Sequence, residues 1–219
     1  MRNDLSVIYY TANREKPVFE EKIKKALVEN IGDLPLISVS QKPIDFGKNI
    51  CVGDVGVSEI NCRRQFLIGC EAAKTKYVCA AEADFMYPKQ YFEFVPPRDD
   101  TVYLAMRCYV LFAQRGKRRI FSPKPRGSEG AIVVNREYII KRLKFILDGA
   151  PQWREKTDGD RIIPQLLGSC RHEFFWTEVP TITFKTDNQM HRRTPNLIKK
   201  RTSEIPYWGT FKDVAEKYL

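Results

Sequence analysis

The chain has 219 residues and a hydrophobic fraction of 43%, values that exclude wholesale disorder and predict one substantial globular domain. No apolar run approaches the ~20 residues of a membrane span, and the first residues lack the apolar core of a secretory signal. The formal net charge of +10 favours a polyanionic partner such as a nucleotide, a nucleic acid or an anionic membrane surface, although solubility alone also accounts for it.

The cysteines predict reduced thiols. None of the six has CxxC spacing, and several lie in apolar stretches, where cysteine acts as a small buried hydrophobe. A disulfide framework and a structural zinc site are therefore disfavoured, and a cytoplasmic location is expected. The six are Cys51, Cys62, Cys70, Cys79, Cys108 and Cys170.

The first forty residues have the pattern of a strand, a helix and a second strand. Residues 5–10 are predominantly apolar, as in a buried strand. Pro17 then opens an amphipathic helical pattern, which Gly32 ends. Residues 36–40 form the next strand pattern, so we expect a right-handed βαβ unit in a parallel sheet.

Two acids follow the next predicted strand. Residues 41–58 are irregular, Ser58 is a candidate N-cap for a helix reaching about residue 74, and residues 77–81 form a buried apolar run. Glu82 and Asp84 come directly after this run. Because ligands bind beyond the carboxyl ends of strands in open α/β sheets, and because carboxylates suit hard divalent metals, the pair is a candidate metal site. A solvated loop is the alternative for such a triplet.

The second half continues the alternation of strands and helices. Strand patterns occupy residues 101–112, 130–135 and 181–185, and helix patterns occupy residues 89–95, 136–147 and 162–167. A basic hairpin or loop spans residues 114–127, and a basic tail at residues 190–200 is expected to cover the site or the surface. No repeat or linker divides the chain, which predicts a single domain at residues 1–219.

This pattern resembles the GT-A fold of nucleotide-sugar glycosyltransferases, and most closely the inverting family 2 type. The densest match runs from Gly69 to Asp84, where the family has a helix, a turn, a strand and a DxD motif. Here Glu82 replaces the first aspartate and Phe85 a frequent third acid. The resemblance implies a GT-A-like α/β domain with a Rossmann-like, mainly parallel sheet flanked by helices. Residues 1–100 would bind the nucleotide-sugar, and residues 101–219 would supply the acceptor site and the C-terminal tail.

The resemblance also implies a manganese or magnesium ion that bridges the two phosphates of a nucleotide-sugar, with a UDP-sugar as the expected donor. Glu82 and Asp84 would hold the ion, and Ala83 between them would lie at the nucleotide. His191 follows the last predicted strand, where many such enzymes have a third metal ligand or a phosphate contact. A structural role is the alternative for this histidine.

Residues after the first two strands match the family's nucleotide pocket. Thr11, Asn13 and Arg14 form a T-x-N-R run after the first strand. Arg14 would pair with a phosphate or base, while Asn13 would bind the nucleoside or cap the loop. Asp45 follows the second strand, where similar enzymes place a base-recognising acid.

Two further segments match less closely. Arg63 and Arg64 lie near the family's usual arginine, and one of them, assigned as Arg64, is expected to face the donor. Residues 153–161 resemble the region whose aspartate deprotonates the acceptor hydroxyl. Asp158 is the first candidate for this base and Asp160 the second, and the alternative is an acidic turn that caps a helix.

The resemblance implies metal-dependent transfer of a sugar to an acceptor hydroxyl by a single inverting displacement. A modified base in DNA is one acceptor hypothesis, since basic residues could follow a phosphate backbone and aromatic residues could stack on a base. A lipid, glycan or protein acceptor fits the same charges. The alternatives are a nucleic-acid-binding domain without catalysis and a sugar-nucleotide nucleotidyltransferase, whose glycine-rich loop is missing here. The basic residues are Lys117, Arg118, Arg119, Lys124, Arg126, Arg192, Arg193, Lys199, Lys200 and Arg201, and the aromatic residues are Tyr109, Phe112 and Phe121.

Overall fold

The computed structural model describes residues 3–112, 120–155, 163–188 and 202–219. In chain order its elements are β1 (Leu5–Thr11), α1 (Pro17–Ile31), β2 (Leu36–Ser40), β3 (Lys48–Cys51), α2 (Glu59–Ala72), β4 (Tyr77–Glu82), β5 (Phe85–Met86), α3 (Lys89–Glu93), β6 (Val102–Ala105), β7 (Cys108–Phe112), β8 (Phe121–Pro123), β9 (Ile132–Asn135), α4 (Arg136–Ile146), β10 (His172–Phe175), β11 (Thr181–Lys185), β12 (Glu204–Ile205), β13 (Gly209–Thr210) and α5 (Phe211–Tyr218).

A seven-stranded sheet forms the centre of the fold, with the strand order β10-β6-β9-β4-β1-β2-β3. Its pairs are parallel except where β9 runs antiparallel to β4 and β6. Helices α2 and α4 pack on one face through residues such as Phe66 and Leu143, and α1 and α3 pack on the other through residues such as Leu27 and Tyr91. The predicted α/β architecture, a mainly parallel sheet flanked by helices, is confirmed.

A second sheet of four strands, with the order β5-β11-β7-β8, lies beside the first. Its core joins Ile182 and Phe184 of β11 to Phe19 of α1 and to Phe211 and Val214 of α5. Two residues join β6 of the central sheet to β7 of the second sheet, and two more, Ala83 and Asp84, form the connection from β4 to β5. The space at this connection holds the candidate site described below.

Local sequence explains where the main helices begin and how closely they pack. Pro17 is the first residue of α1, where its missing N–H costs no hydrogen bond, and Gly32 ends the helix at a φ of +58°. The Ser58 hydroxyl accepts the N–H of Asn61 and caps α2. Gly69 brings α2 against β1, since any side chain there would overlap Ile8.

Several sequence expectations need correction. Residues 101–112 form two strands in different sheets, β6 and β7, because the chain turns at Met106, whose carbonyl accepts the N–H of Cys108. The helix expected at residues 162–167 is absent from its described part, where Pro164 lacks an N–H donor and disfavours helical backbone at Ile163. Strand β3 and the C-terminal elements β12, β13 and α5 were not predicted.

The described residues contain no helix that is long and apolar enough to cross a membrane. The predicted tail at residues 190–200 lies outside the described part of the chain.

Candidate functional site

A cleft of about 310 Å³ opens where the central sheet meets the second sheet, a size suited to a small-molecule ligand. Its walls come from the ends of β1 and β4, from the residue after β2, from the segment before β9 and from β11. The first three are carboxyl ends of parallel strands, where ligands bind in open α/β sheets. The topology therefore makes this edge the expected ligand-binding site.

Glu82, the last residue of β4, is held firmly at the base of the cleft. The Tyr10 hydroxyl donates to Glu82 Oε1 over 2.7 Å. The Glu82 N–H donates to the Tyr87 hydroxyl oxygen over 2.9 Å, and that hydroxyl donates to the Gly130 carbonyl over 2.6 Å. A Cβ atom at Gly130 would lie 2.5 Å from Glu82 Cδ. The glycine thus leaves room for the carboxylate in this one position.

Asp84 lines the same cleft and is electrostatically linked to Glu82. Burial, together with the negative charge of Glu82, raises the pKa of Asp84 to about 8. The positive charges of Lys185 and Lys124 act in the opposite direction. A cation between the two acids would therefore stabilise their ionised forms.

The acid pair fits part of a magnesium or manganese coordination shell. Both metals prefer oxygen ligands, and magnesium commonly takes one or two protein carboxylates and completes its shell with water and phosphate oxygens. Among the described residues no three His, Cys, Asp or Glu side chains cluster as a complete metal site. The donor set thus matches a metal that a phosphate ligand would complete.

Two lysines that sequence reasoning did not assign to the donor site face the acids from the second sheet. Lys185 is the last residue of β11, and Lys124 directly follows β8. Lys124 Nζ donates to Ser128 Oγ over 2.8 Å and lies 6.0 Å from the ring centroid of Phe85. Burial and the charge of Lys124 lower the pKa of Lys185, while Asp84 opposes the shift. In the sequence, Lys185 could have been found as a charged residue at the end of the apolar strand β11.

The loop after β1 forms another part of the cleft wall. Thr11 and Arg14 line it, whereas Asn13 caps the loop, with Oδ1 accepting the N–H groups of Gln41 and Lys42. Asn13 has a φ of +51°, a conformation in which asparagine is one of the tolerated residues. Gln41, the residue after β2, is buried, lines the cleft and donates from Nε2 to the Gly56 carbonyl over 2.7 Å.

Two sequence-predicted residues lie away from the cleft walls. Asp45 is exposed, and Gln41 occupies the cleft position after β2 instead. The Arg64 guanidinium donates to the carbonyls of Ala150 and Pro151, which ties α2 to the chain that follows α4. Helical geometry explains the exchange, because neighbouring residues on α2 point about 100° apart.

Arg63 takes the place on the cleft wall that had been assigned to Arg64. Its guanidinium pairs with Glu129 and lies 3.6 Å from Glu59 Oε1. Although burial favours the neutral form, the charge of Glu129 raises the pKa of Arg63 above its ordinary value. The guanidinium Nε is buried without a hydrogen-bond partner in the described structure.

Of the aromatic residues proposed to stack on a base, Phe112 and Phe121 are buried and cannot do so, while Tyr109 is partly exposed. Asp158, Asp160 and His191 lie outside the described residues, as do the basic residues at positions 117–119 and 192–201. Arg154, four positions before Asp158 in the sequence, is described and is bonded to the cleft. Its N–H and carbonyl both bond the side chain of Asn61, a residue of the cleft wall.

No protein-family model and no curated protein matches this chain. Solved structures do match at low identity. The crystal structure of S. aureus TarS 1-349 gives 11% identity and a TM-score of 0.47, covering 83% of this chain and 60% of that one. TarS 1-349 in complex with UDP-GlcNAc gives 11% and 0.47, with coverages of 91% and 62%. Bifunctional IspDF from Campylobacter jejuni gives 12% and 0.44, with coverages of 80% and 50%. The chain thus spans less than two thirds of the length of each of these structures.

Proposed function

We propose that the protein is a glycosyltransferase that takes a sugar from a nucleoside-diphosphate donor bound in the cleft. The observation that supports this most is the acid pair Glu82 and Asp84, held at the carboxyl end of β4 in a cleft that also contains Lys124 and Lys185. Carboxylates beside cationic side chains suit a ligand that combines a divalent metal with phosphates. In a solvated acidic loop, the contacts of Tyr10, Tyr87 and Gly130 that hold Glu82 in one position would not be needed.

In this proposal the donor spans the cleft. Thr11, Arg14 and Gln41 contact the nucleoside end, and Ala83 lies beside the phosphates. Glu82 and Asp84 would hold a magnesium or manganese ion, which supplies neutralising charge to the diphosphate. The separation of β2 from β4 across β1, roughly 10 Å for two strand spacings, suits the distance from a base to a diphosphate.

The proposed reaction is a single displacement. The acceptor oxygen forms a bond to the anomeric carbon while the bond from that carbon to the phosphate oxygen breaks. The electron pair stays on the diphosphate, and the acceptor proton passes to a carboxylate base. We propose Asp158 for this base, with Asp160 second. Asp158 is four positions after Arg154, which bonds the cleft residue Asn61, and four extended residues reach about 14 Å.

The donor proposal is tested by calorimetric titration with UDP, GDP, other nucleoside diphosphates and UDP-GlcNAc, with and without manganese. We expect one nucleotide to bind the wild type more tightly when manganese is added, and this metal-dependent increase to be lost in Asp84→Asn. The exposed Asp148→Asn is the matched control and should bind as the wild type does.

Failure of every nucleotide to bind would overturn the proposal and favour a nucleic-acid-binding domain. Turnover of a nucleoside triphosphate and a sugar phosphate with release of pyrophosphate would instead identify a sugar-nucleotide nucleotidyltransferase.

We further propose a polyanionic acceptor, with a hydroxylated base in DNA as the first candidate. The net charge of +10 and the exposed Arg126, two residues after the cleft residue Lys124, support this. Binding to duplex DNA should weaken steeply between 50 and 200 mM salt, by roughly tenfold or more, because phosphate contacts release counterions. Absence of DNA binding at low salt would exclude this acceptor and leave lipids, glycans and proteins.

A further inference from the structure

Lys124 and Lys185 reach one cleft from opposite ends of the same strand, β7. Lys185 pairs with Phe112 at the last position of β7, whereas the N–H of Lys124 bonds to the carbonyl of Cys108 at the first position. The two positions are four residue steps apart along the strand, or roughly 13 Å. Both side chains nevertheless line the cleft beside Asp84. This convergence places two positive charges on a single wall.

The lysines have donor capacity that the described structure does not use. An ammonium group has three N–H donors, and Lys124 Nζ donates to Ser128 Oγ. In the described part of the chain neither lysine forms an ion pair within 4 Å of a carboxylate. Lysines that served only to neutralise Glu82 and Asp84 would be expected in direct contact with them.

Burial and the charge of Lys124 disfavour the ammonium form of Lys185, and the nearby acids Asp84 and Glu82 offset this only in part. Lys185 is half-buried, and Lys124 adds a second positive charge close enough to affect it. A phosphate group contributes several acceptor oxygens and negative charge, so it would satisfy the remaining donors of both lysines and relieve their mutual repulsion.

We propose that Lys124 and Lys185 form an anion site for the diphosphate of the donor and stabilise the leaving nucleoside diphosphate. The inference rests on the proposed function. As the bond from the anomeric carbon to the phosphate oxygen breaks, its electron pair remains on that oxygen, and the lysine N–H groups donate to the growing charge. The acceptor oxygen supplies the new bond to carbon, and its proton goes to the base. Part of the diphosphate affinity is then independent of metal.

The test is calorimetric titration with inorganic pyrophosphate and with UDP or the nucleoside diphosphate that binds, both in EDTA and in manganese. In EDTA the wild type should bind both probes, Lys185→Met should weaken binding by about tenfold, and Lys124→Met with Lys185→Met should weaken it by about a hundredfold. Lys212→Met removes an exposed lysine of α5 and should change nothing.

Arginine variants keep the test decisive if a methionine variant folds poorly. Lys185→Arg retains the charge and should retain most of the affinity. Equal binding in EDTA by the wild type and the folded double variant would overturn the anion site while leaving the proposed function standing. Binding of pyrophosphate but of no nucleoside diphosphate would support the anion site and overturn the proposed function. Binding of neither probe would overturn both.

Discussion

At the scale of single residues, Gly130 controls where the Glu82 carboxylate lies. A Cβ atom at this position would come within 2.5 Å of Glu82 Cδ, the mobile end of a side chain. Gly130→Ala should therefore displace the carboxylate and break its hydrogen bond with Tyr10, at a cost of about 1 kcal/mol of unfolding free energy. We expect metal-dependent nucleotide binding to fall by about tenfold, measured by calorimetry.

Gly168→Ala is the control for this change, because a Cβ atom there meets its nearest neighbour at 3.6 Å. It should bind the nucleotide as the wild type does. Unchanged affinity in Gly130→Ala would show that the position of Glu82 does not matter for the ligand.

Tyr9 and Tyr10 are consecutive residues of β1 that point to opposite faces of the sheet and bond different acids. The Tyr10 hydroxyl donates to Glu82, and the Tyr9 hydroxyl donates to Glu20 over 2.8 Å. Replacing either with phenylalanine removes a buried hydrogen bond and should cost about 1 kcal/mol of unfolding free energy in urea titrations. Only Tyr10→Phe should also weaken nucleotide binding. Equal effects of both variants on binding would contradict the role assigned to Tyr10.

The acid pair makes the stability of the protein depend on pH. The pKa of Asp84 is about 8 in the folded chain against an ordinary value of 3.8, so its contribution to stability is complete below about pH 4 and is lost as the pH rises through 8. The amide that replaces this carboxyl in Asp84→Asn cannot ionise. The free energy of unfolding of Asp84→Asn, relative to the wild type, should therefore increase between pH 5 and pH 8.5 in metal-free buffer. A difference that does not change with pH would disprove the shift.

The sequence alone predicted that the two acids follow a buried strand, but it did not predict which basic residues lie near them in the cleft. Glu82 and Asp84 could be placed because they end an apolar run, a purely local signal. The choice between Arg63 and Arg64 depends on how α2 is rotated against the sheet, which pattern alone does not fix. Lys124 and Lys185 are 61 residues apart in the chain, and only the pairing of β7 with β8 and β11 brings them together.

At the scale of elements, α5 completes the core of the second sheet. Phe211 is 8% exposed and packs in the cluster that contains Phe19 and Phe184. Phe211→Ala should lower the free energy of unfolding by about 3 kcal/mol in urea titrations, because it leaves a cavity in this core. Phe145 on α4 is 62% exposed, and Phe145→Ala should cost no more than about 0.5 kcal/mol. Similar costs would show that α5 is not part of the core.

Elements with strong local signals were predicted well. Helix α1 has a proline start and a glycine stop, and β4 is a continuous apolar run, so both were assigned nearly to the residue. Residues 101–112 were misassigned as one strand, because the turn at Met106 and Arg107 carries no glycine or proline. Strand β3 was missed because it is a polar edge strand between glycine-containing segments.

At the scale of the whole molecule, the cleft lies between the two sheets, with the acids on one side and the lysines on the other. The Asp84 carbonyl accepts the N–H of Phe184, which joins the end of β4 to β11. A bound metal and diphosphate would add further contacts between the sheets. We expect amide hydrogen exchange in β11 to slow when the nucleotide and manganese are added, whereas exchange in α5, which lies away from the cleft, should change little. Unchanged exchange in β11 would contradict this coupling.

Glu82 lies on the central sheet, whereas Lys124 and Lys185 lie at the second sheet. Lys124 follows β8 and Lys185 ends β11, whereas Tyr10, Tyr87 and Gly130, which hold Glu82 in place, lie in neither strand. The lysines can thus be substituted without removing any hydrogen bond that holds Glu82. In the proposed donor complex, such substitutions would change the affinity for the diphosphate while the hydrogen bonds that position Glu82 stay in place.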